Sequence, residues 1–201
     1  MPFSSHKSLG NILKKFQLCY HEQDYVVPAE VTPSDYLQTE LKFVLDELVT
    51  NNSEAAVCEN LIYPILKESW KPHRDKLMLW SHEPLQYDDD LSGTPDYMIT
   101  KKSPLGKIVC DQPYLLVVEA KKDNFQEGWA QCLVELIAAQ KLNQPDESTV
   151  FGVVSNGDKW EFGKLNANQF TKNRTSYALQ ALTTLCGALE NVLVQCELQL
   201  K

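Results

Sequence analysis

The chain has 201 residues, 43% of them hydrophobic and 23% charged, with 27 acidic against 19 basic side chains and a formal net charge of −8. That length suits one compact domain with a core large enough to need no disulfide or metal staple. The charge balance excludes a basic nucleic-acid coat protein, but not an enzyme whose carboxylates hold a divalent cation, because such a site is itself acidic.

In chain order, residues 1–33 read as an ill-defined arm. Within it Leu9, Ile12, Leu13 and Phe16 recur at helical spacing and predict a short amphipathic helix, which Pro28 and Pro33 keep from extending. A helix follows over 34–50, capped by Ser34, with Leu37, Leu41, Val44, Leu45 and Leu48 at steps of three and four. Thr50-Asn51-Asn52-Ser53 breaks the pattern, and Ser53 caps a helix running from Glu54 towards Trp70. Pro64 must kink or interrupt that helix, since it has no N–H for the carbonyl four residues back. Leu77–Trp80 reads as a strand, Asp88–Pro95 as a turn-rich loop, and Tyr97–Ile99 as the start of a second strand that 106–110 continues after a turn at Ser103-Pro104. Lys71, His73, Arg74 and Lys76 form one basic cluster and Lys101, Lys102 and Lys107 another; both read as solvated loops.

Tyr114–Lys121 is the strongest strand. Leu115 and Val117 lie on one face and Tyr114, Leu116, Val118 and Ala120 on the other, so it is expected to be central and covered on both sides. A long helix follows from about Asp123 to Lys141, with Asp123 as cap and Gln126 in the capping-box position. Ser148–Val154 is another strand, and Asn156-Gly157 turns tightly into a hairpin partner at Lys159–Phe162. The chain closes with a helix over 176–199 whose stripe is Leu182, Leu185, Leu189 and Val192. Six cysteines, none in a C-x-x-C pair, sit mostly in apolar runs and read as buried, reduced thiols of a cytosolic (cytoplasmic) protein. No apolar run is long enough to span a bilayer and no leader pattern opens the chain, so no membrane partner is expected.

Chemistry concentrates at the end of the central strand. Side chains two apart on a strand share a face, so Glu119 and Lys121 project together from an otherwise apolar element. Burying charge is costly unless it is paired or metal-bound. Asp96, after Pro95, opens the preceding strand, and antiparallel pairing would bring it to Glu119. Glu54 shares a helical stripe with Cys58, Leu61 and Ile65 and so is expected to point inward. Singly, each has a plainer reading: a solvated strand end, a turn aspartate, a carboxylate on a helix dipole. Together they suit phosphodiester hydrolysis, in which hard carboxylate oxygens hold Mg²⁺ and a neighbouring lysine orients water or stabilises developing charge.

At these residues the chain resembles the PD-(D/E)XK phosphodiesterase superfamily, through Pro95-Asp96 and Glu119-Ala120-Lys121. It looks most like the N-terminal nuclease domain of type I restriction endonuclease motor subunits. Ser53-Glu54-Ala55-Ala56-Val57 with Leu61–Leu66, then Gly128-Trp129-Ala130-Gln131, then Ser155-Asn156-Gly157 with Trp160, support this in order and spacing. The resemblance implies an α/β fold of the α+β kind, with a central mixed sheet of four to five strands flanked by helices. A single domain over 1–201 would hold the arm over 1–33, a nuclease-like core over 53–163 and the C-terminal helix over 176–199. It implies Asp96, Glu119, Glu54 and the Ala120 backbone carbonyl as metal ligands for Mg²⁺, with Mn²⁺ as a substitute, and Lys121 as the catalytic lysine. It implies DNA as substrate, a homodimer as candidate assembly and, since no helicase motor is present, a separate motor or specificity subunit as partner. Many relatives carry a Gln and, four residues later, a Tyr on the next helix; here Gln131, a candidate substrate contact, is followed by Glu135. Glu127 and Glu135 read as that helix's solvent face. The alternative to a nuclease is a catalytically inactive binding or regulatory subunit of the same fold.

Overall fold

A computed structural model describes residues 3, 7–143 and 148–200; residues 1–2 and 4–6 of the arm lie outside the described ones. The predicted arm helix is present as α1 (Leu9–Phe16), capped by the Ser8 hydroxyl on the Asn11 N–H, with Ile12 buried. The described part of the arm continues into the main sheet. β1 (Cys19–Glu22) pairs in parallel with β9 (Gln169–Lys172) and forms the edge of the main sheet. Both strands are four residues long, and β1 is exposed throughout, so neither carries the burial pattern that would announce it in the sequence.

α2 (Asp35–Glu47) is capped by Ser34 and buries Leu37, Leu41 and Val44, whereas Leu45 and Leu48 face solvent. The next helix is interrupted just before Pro64, as expected, but not ended there. It starts as α3 (Glu54–Val57), widens through a π-turn over Cys58–Ile62 and continues as α4 (Tyr63–Trp70). The Tyr63 N–H reaches back five residues to the Cys58 carbonyl, and Pro64 falls in the first turn of α4. The wider turn is the interruption expected from the missing donor, and the chain stays helical through it.

The strands are β2 (Leu77–Ser81), β3 (Leu85–Gln86), β4 (Ser92–Gly93), β5 (Tyr97–Lys102), β6 (Cys110–Ala120), β7 (Val150–Ser155), β8 (Lys159–Asn166), β9 and β10 (Tyr177–Ala178). The main sheet has the order β1-β9-β8-β7-β6-β5-β2, with β10 also pairing β8, so it is mixed as expected but larger than four to five strands. Its parallel pairs are β1–β9 and β6–β7. Residues 106–109 form a turn and do not extend β5; Cys110 opens β6 instead.

α5 (Phe125–Leu142) connects β6 to its parallel neighbour β7. Its cap is Asn124, not Asp123. The Asn124 Oδ1 accepts the Glu127 N–H at 3.1 Å, and its side-chain amide donates to the Glu127 carboxylate at 3.2 Å. α6 (Leu182–Glu197) starts later than expected, after β10 and a single 3₁₀ turn. Gly157 supplies the positive φ, +86°, that the β7–β8 turn requires.

Apolar cores lie on both faces of the sheet. α1 and α5 cover one face, with Ile12, Trp129, Leu133 and Leu136; α2, α4 and α6 cover the other, with Leu41, Ile65, Leu185 and Leu189. β6 is therefore buried from both sides. Val117 faces α5, and Leu116 and Val118 face away from it. Leu115 joins Leu116's core, not Val117's, because the β5–β6 register shifts between Ile99 and Thr100 and leaves an extra residue in β6.

Of the cluster at residues 71–76, Lys71, Arg74 and Lys76 are exposed as expected, and His73 is the exception. His73 is buried, with its ring nitrogens 2.8 Å from Glu197 and 3.1 Å from Glu190 of α6, and Lys76 also reaches Glu197 at 2.9 Å. All six cysteines are free thiols; Cys58, Cys132, Cys186 and Cys196 are buried, Cys110 is half-buried and Cys19, contrary to expectation, is exposed. Among the described residues no helix is long and apolar enough to cross a membrane.

Candidate active site

The antiparallel β5–β6 pairing, with Tyr97 opposite Val118, brings the start of β5 to the end of β6. Asp96 stands one residue before β5, and its Oδ2 accepts the Ala120 N–H at 2.7 Å. That single hydrogen bond ties the aspartate of one strand to the Glu119-Ala120-Lys121 segment of the other. Glu119 is 2% exposed. Its Oε1 lies 2.8 Å from the Lys121 Nζ, whereas its Oε2 is buried with no hydrogen-bond partner.

Lys121 follows β6, and its N–H donates to the Ser155 carbonyl of β7 at 2.9 Å, which fixes the direction of its side chain. Room for that side chain comes from Gly128. A Cβ there would lie 2.8 Å from both Lys121 Cγ and Val154 Cγ1. Glu54 reaches the same ammonium, with its Oε1 3.7 Å from Nζ. Its side chain is 53% exposed, however, so the expectation of an inward-pointing carboxylate is corrected. Cys58, Leu61 and Ile65 of its stripe are buried, but the first turn stands at the open end of the helix, where water reaches the carboxylate.

Two further groups join the site. His82 follows β2 with φ +52°; its N–H donates to the Asp96 carbonyl at 3.0 Å, and its Nε2 is 3.6 Å from the Asp96 Oδ1. Nothing in the sequence pattern marked it, because its approach depends on the β2–β5 pairing. Glu135, expected on the solvent face of α5, is fully buried, and neither of its carboxyl oxygens has a hydrogen-bond partner. It belongs to the same electrostatic cluster as Glu119, Asp96 and Lys121. Gln131, one turn earlier, is half-buried, and Glu127 is partly exposed with its carboxylate 3.8 Å from the Lys7 ammonium.

The cluster is short of positive charge. Burial, reinforced by the field of Asp96 and only partly offset by Lys121, pushes the Glu119 carboxyl up to about 8. Asp96 is raised by burial, against the Ala120 N–H and Lys121, which favour its charge. Glu135 is held well above the usual carboxylate range by burial and then by the fields of Glu119 and Asp96. Burial alone would lower the Lys121 ammonium, but Glu119, Glu54 and Asp96 outweigh it and raise it.

Among the described residues no three His, Cys, Asp or Glu side chains are gathered so as to hold a metal ion by themselves. Magnesium is commonly held by one or two carboxylates, with water completing its shell. Asp96 and Glu119 are hard oxygen donors, and the orphaned Glu119 Oε2 lacks the partner that a cation would supply. The donor set therefore fits a hard divalent cation.

No protein-family model matches the chain, and no curated protein does. Among solved structures, the chain is similar to one described as the crystal structure of the type IIG restriction endonuclease BpuSI, with a TM-score of 0.51 and 15% sequence identity. The match covers 74% of this chain and 18% of that one. The likeness shows a fold shared with a segment of that chain.

Proposed function

We propose that this protein is a metal-dependent nuclease that hydrolyses phosphodiester bonds in DNA through Asp96, Glu119 and Lys121. The observation that carries this reading is the convergence of a strand-opening aspartate, a buried strand-end glutamate with an orphaned oxygen and a lysine 2.8 Å from that glutamate, within a restriction-endonuclease-like fold. Asp96, Glu119 and the Ala120 carbonyl would hold Mg²⁺, or Mn²⁺ in its place, with Glu54 at the rim. When bound, the ion supplies an acidified water and neutralises charge on the phosphate. Lys121, fixed by Ser155 and given room by Gly128, offers a positioned ammonium for the attacking water or for charge developing in the transition state. Glu119 orients that ammonium. Gln131 is the candidate substrate contact on α5.

The match spans a small share of the neighbouring chain, and we assign sequence choice or translocation to a separate specificity or motor subunit of the kind the type I resemblance implies. A homodimer is the assembly proposed for cutting both strands, and the free cysteines fit a cytoplasmic setting. The test is cleavage of supercoiled plasmid and of single-stranded DNA in Mg²⁺ and in Mn²⁺, with wild type and Lys121→Ala purified side by side. Wild type is expected to cut and Lys121→Ala to lose about 100-fold or more in rate, the scale of removing one transition-state donor. Equal cleavage by the two proteins overturns the mechanism.

A further inference from the structure

Glu135 is the least explained buried group in the molecule. It lies in the middle of α5, among Cys132, Leu133, Leu136 and Ala139, all fully buried. Neither of its oxygens meets a partner at strict hydrogen-bond geometry, and Gln131, one turn earlier, is the neighbouring amide that favours its charge. An apolar residue or a glutamine would fill the same volume without setting an acid against the acids of Asp96 and Glu119. Of the charged groups whose fields reach it, Lys121 is the cation, and that ammonium is already bonded to the Glu119 Oε1. Glu119 Oε2 is orphaned too, so three carboxyl oxygens of one cluster lack partners together. Buried carboxyl oxygens without partners are unfavourable, and what would satisfy all three is a source of positive charge and hydrogen-bond donors, as a hydrated cation is.

Resting on the metal reading given above, we infer that Glu135 is a positioning residue for the cation held by Asp96 and Glu119, accepting hydrogen bonds from water bound to that ion. Groups of this kind around a metal typically change its affinity 10- to 100-fold. Glu135 would then set metal affinity from inside the fold, on the side of the site away from solvent, where Glu54 serves the exposed rim.

The experiment is calorimetric titration of Mn²⁺ into the full chain, for wild type, Asp96→Asn, Glu135→Gln and Glu135→Leu, with thermal melts of each in EDTA and in Mn²⁺. Glu135→Gln is expected to bind Mn²⁺ about 10-fold more weakly than wild type. In EDTA it should melt at or above the wild-type temperature, because an acid has been removed from an acidic cluster, and its rise on adding Mn²⁺ should be smaller. Glu135→Leu, with no acceptor, should bind no more tightly than Glu135→Gln. A purely structural role would instead lower the EDTA melt and leave the affinity unchanged. Wild-type affinity in Glu135→Gln, with binding lost in Asp96→Asn, overturns the role of Glu135 alone. Absence of Mn²⁺ binding by wild type, or undiminished binding by Asp96→Asn, overturns the metal reading and this inference with it.

Discussion

Glu119 carries a sharp consequence for stability. In the unfolded chain its carboxyl titrates near 4.5, whereas burial and Asp96 raise it to about 8 in the folded protein. The folded state therefore holds the proton more tightly. Its contribution to stability is fully present below the unfolded value and is lost as pH rises through the folded one. The expected outcome is a melting temperature in EDTA that falls between about pH 5 and about pH 9, with a clearly shallower slope in Glu119→Gln, checked by calorimetry across that range. An equally steep slope in the variant would show that the titration belongs elsewhere. At this scale the sequence pointed to the proximity of Glu119 and Lys121, since a charged pair two apart at the end of an apolar strand is a local pattern. It was misleading for Glu54, whose stripe mates are buried while its own carboxylate is wet.

Elements were legible where their signals are local. Ser34 and Ser53 each cap the helix they precede, and Asn156-Gly157 turns β7 into β8. Errors arose where a neighbour decides: the cap of α5, the short edge strand β1 and its neighbour β9. The packing of α6 is one such case. Gly187 accepts the Ala29 N–H at 3.0 Å, and a Cβ there would lie 2.2 Å from the Ala29 carbonyl oxygen. Because the obstacle is backbone, it cannot rotate away. Gly187→Ala is expected to destabilise the protein by roughly 1–3 kcal/mol, the range for overpacking, measured from urea unfolding midpoints. A stabilised Gly187→Ala protein would mean that the segment around Ala29 is free to shift.

At the scale of the whole molecule, the N-terminal segment is built into the fold. Asn173, after β9, accepts the Tyr25 and Val26 N–H groups at 2.8 and 3.0 Å and donates to the Thr175 carbonyl at 2.8 Å. Tyr177 donates its hydroxyl to the Val26 carbonyl, and Thr175 N–H donates to Asp24. Asn173→Ala would strand two backbone donors, at about 1–3 kcal/mol for each left unsatisfied. Hydrogen exchange is expected to accelerate over residues 19–27, with the β6 amides near Glu119 protected as before. Equal acceleration in β6 would show that the arm and the central strand open as one unit.

The sequence by itself determined the chemistry-bearing convergence of Asp96 with Glu119 and Lys121. Two strands close in the chain pair antiparallel by default, and the opening of one then meets the end of the other. It also determined that β6 is central, because apolar residues on both faces require cover on both sides. Only the tertiary structure decided the fate of Glu135. A polar stripe on a helix predicts solvent when one face alone is covered, but α5 lies between the sheet and a layer that includes α1 and is buried nearly all round. Burial depends on what packs over a residue, which is set by segments distant in the chain, so a carboxylate that looks like surface in the sequence ends up inside, facing the acids of the site.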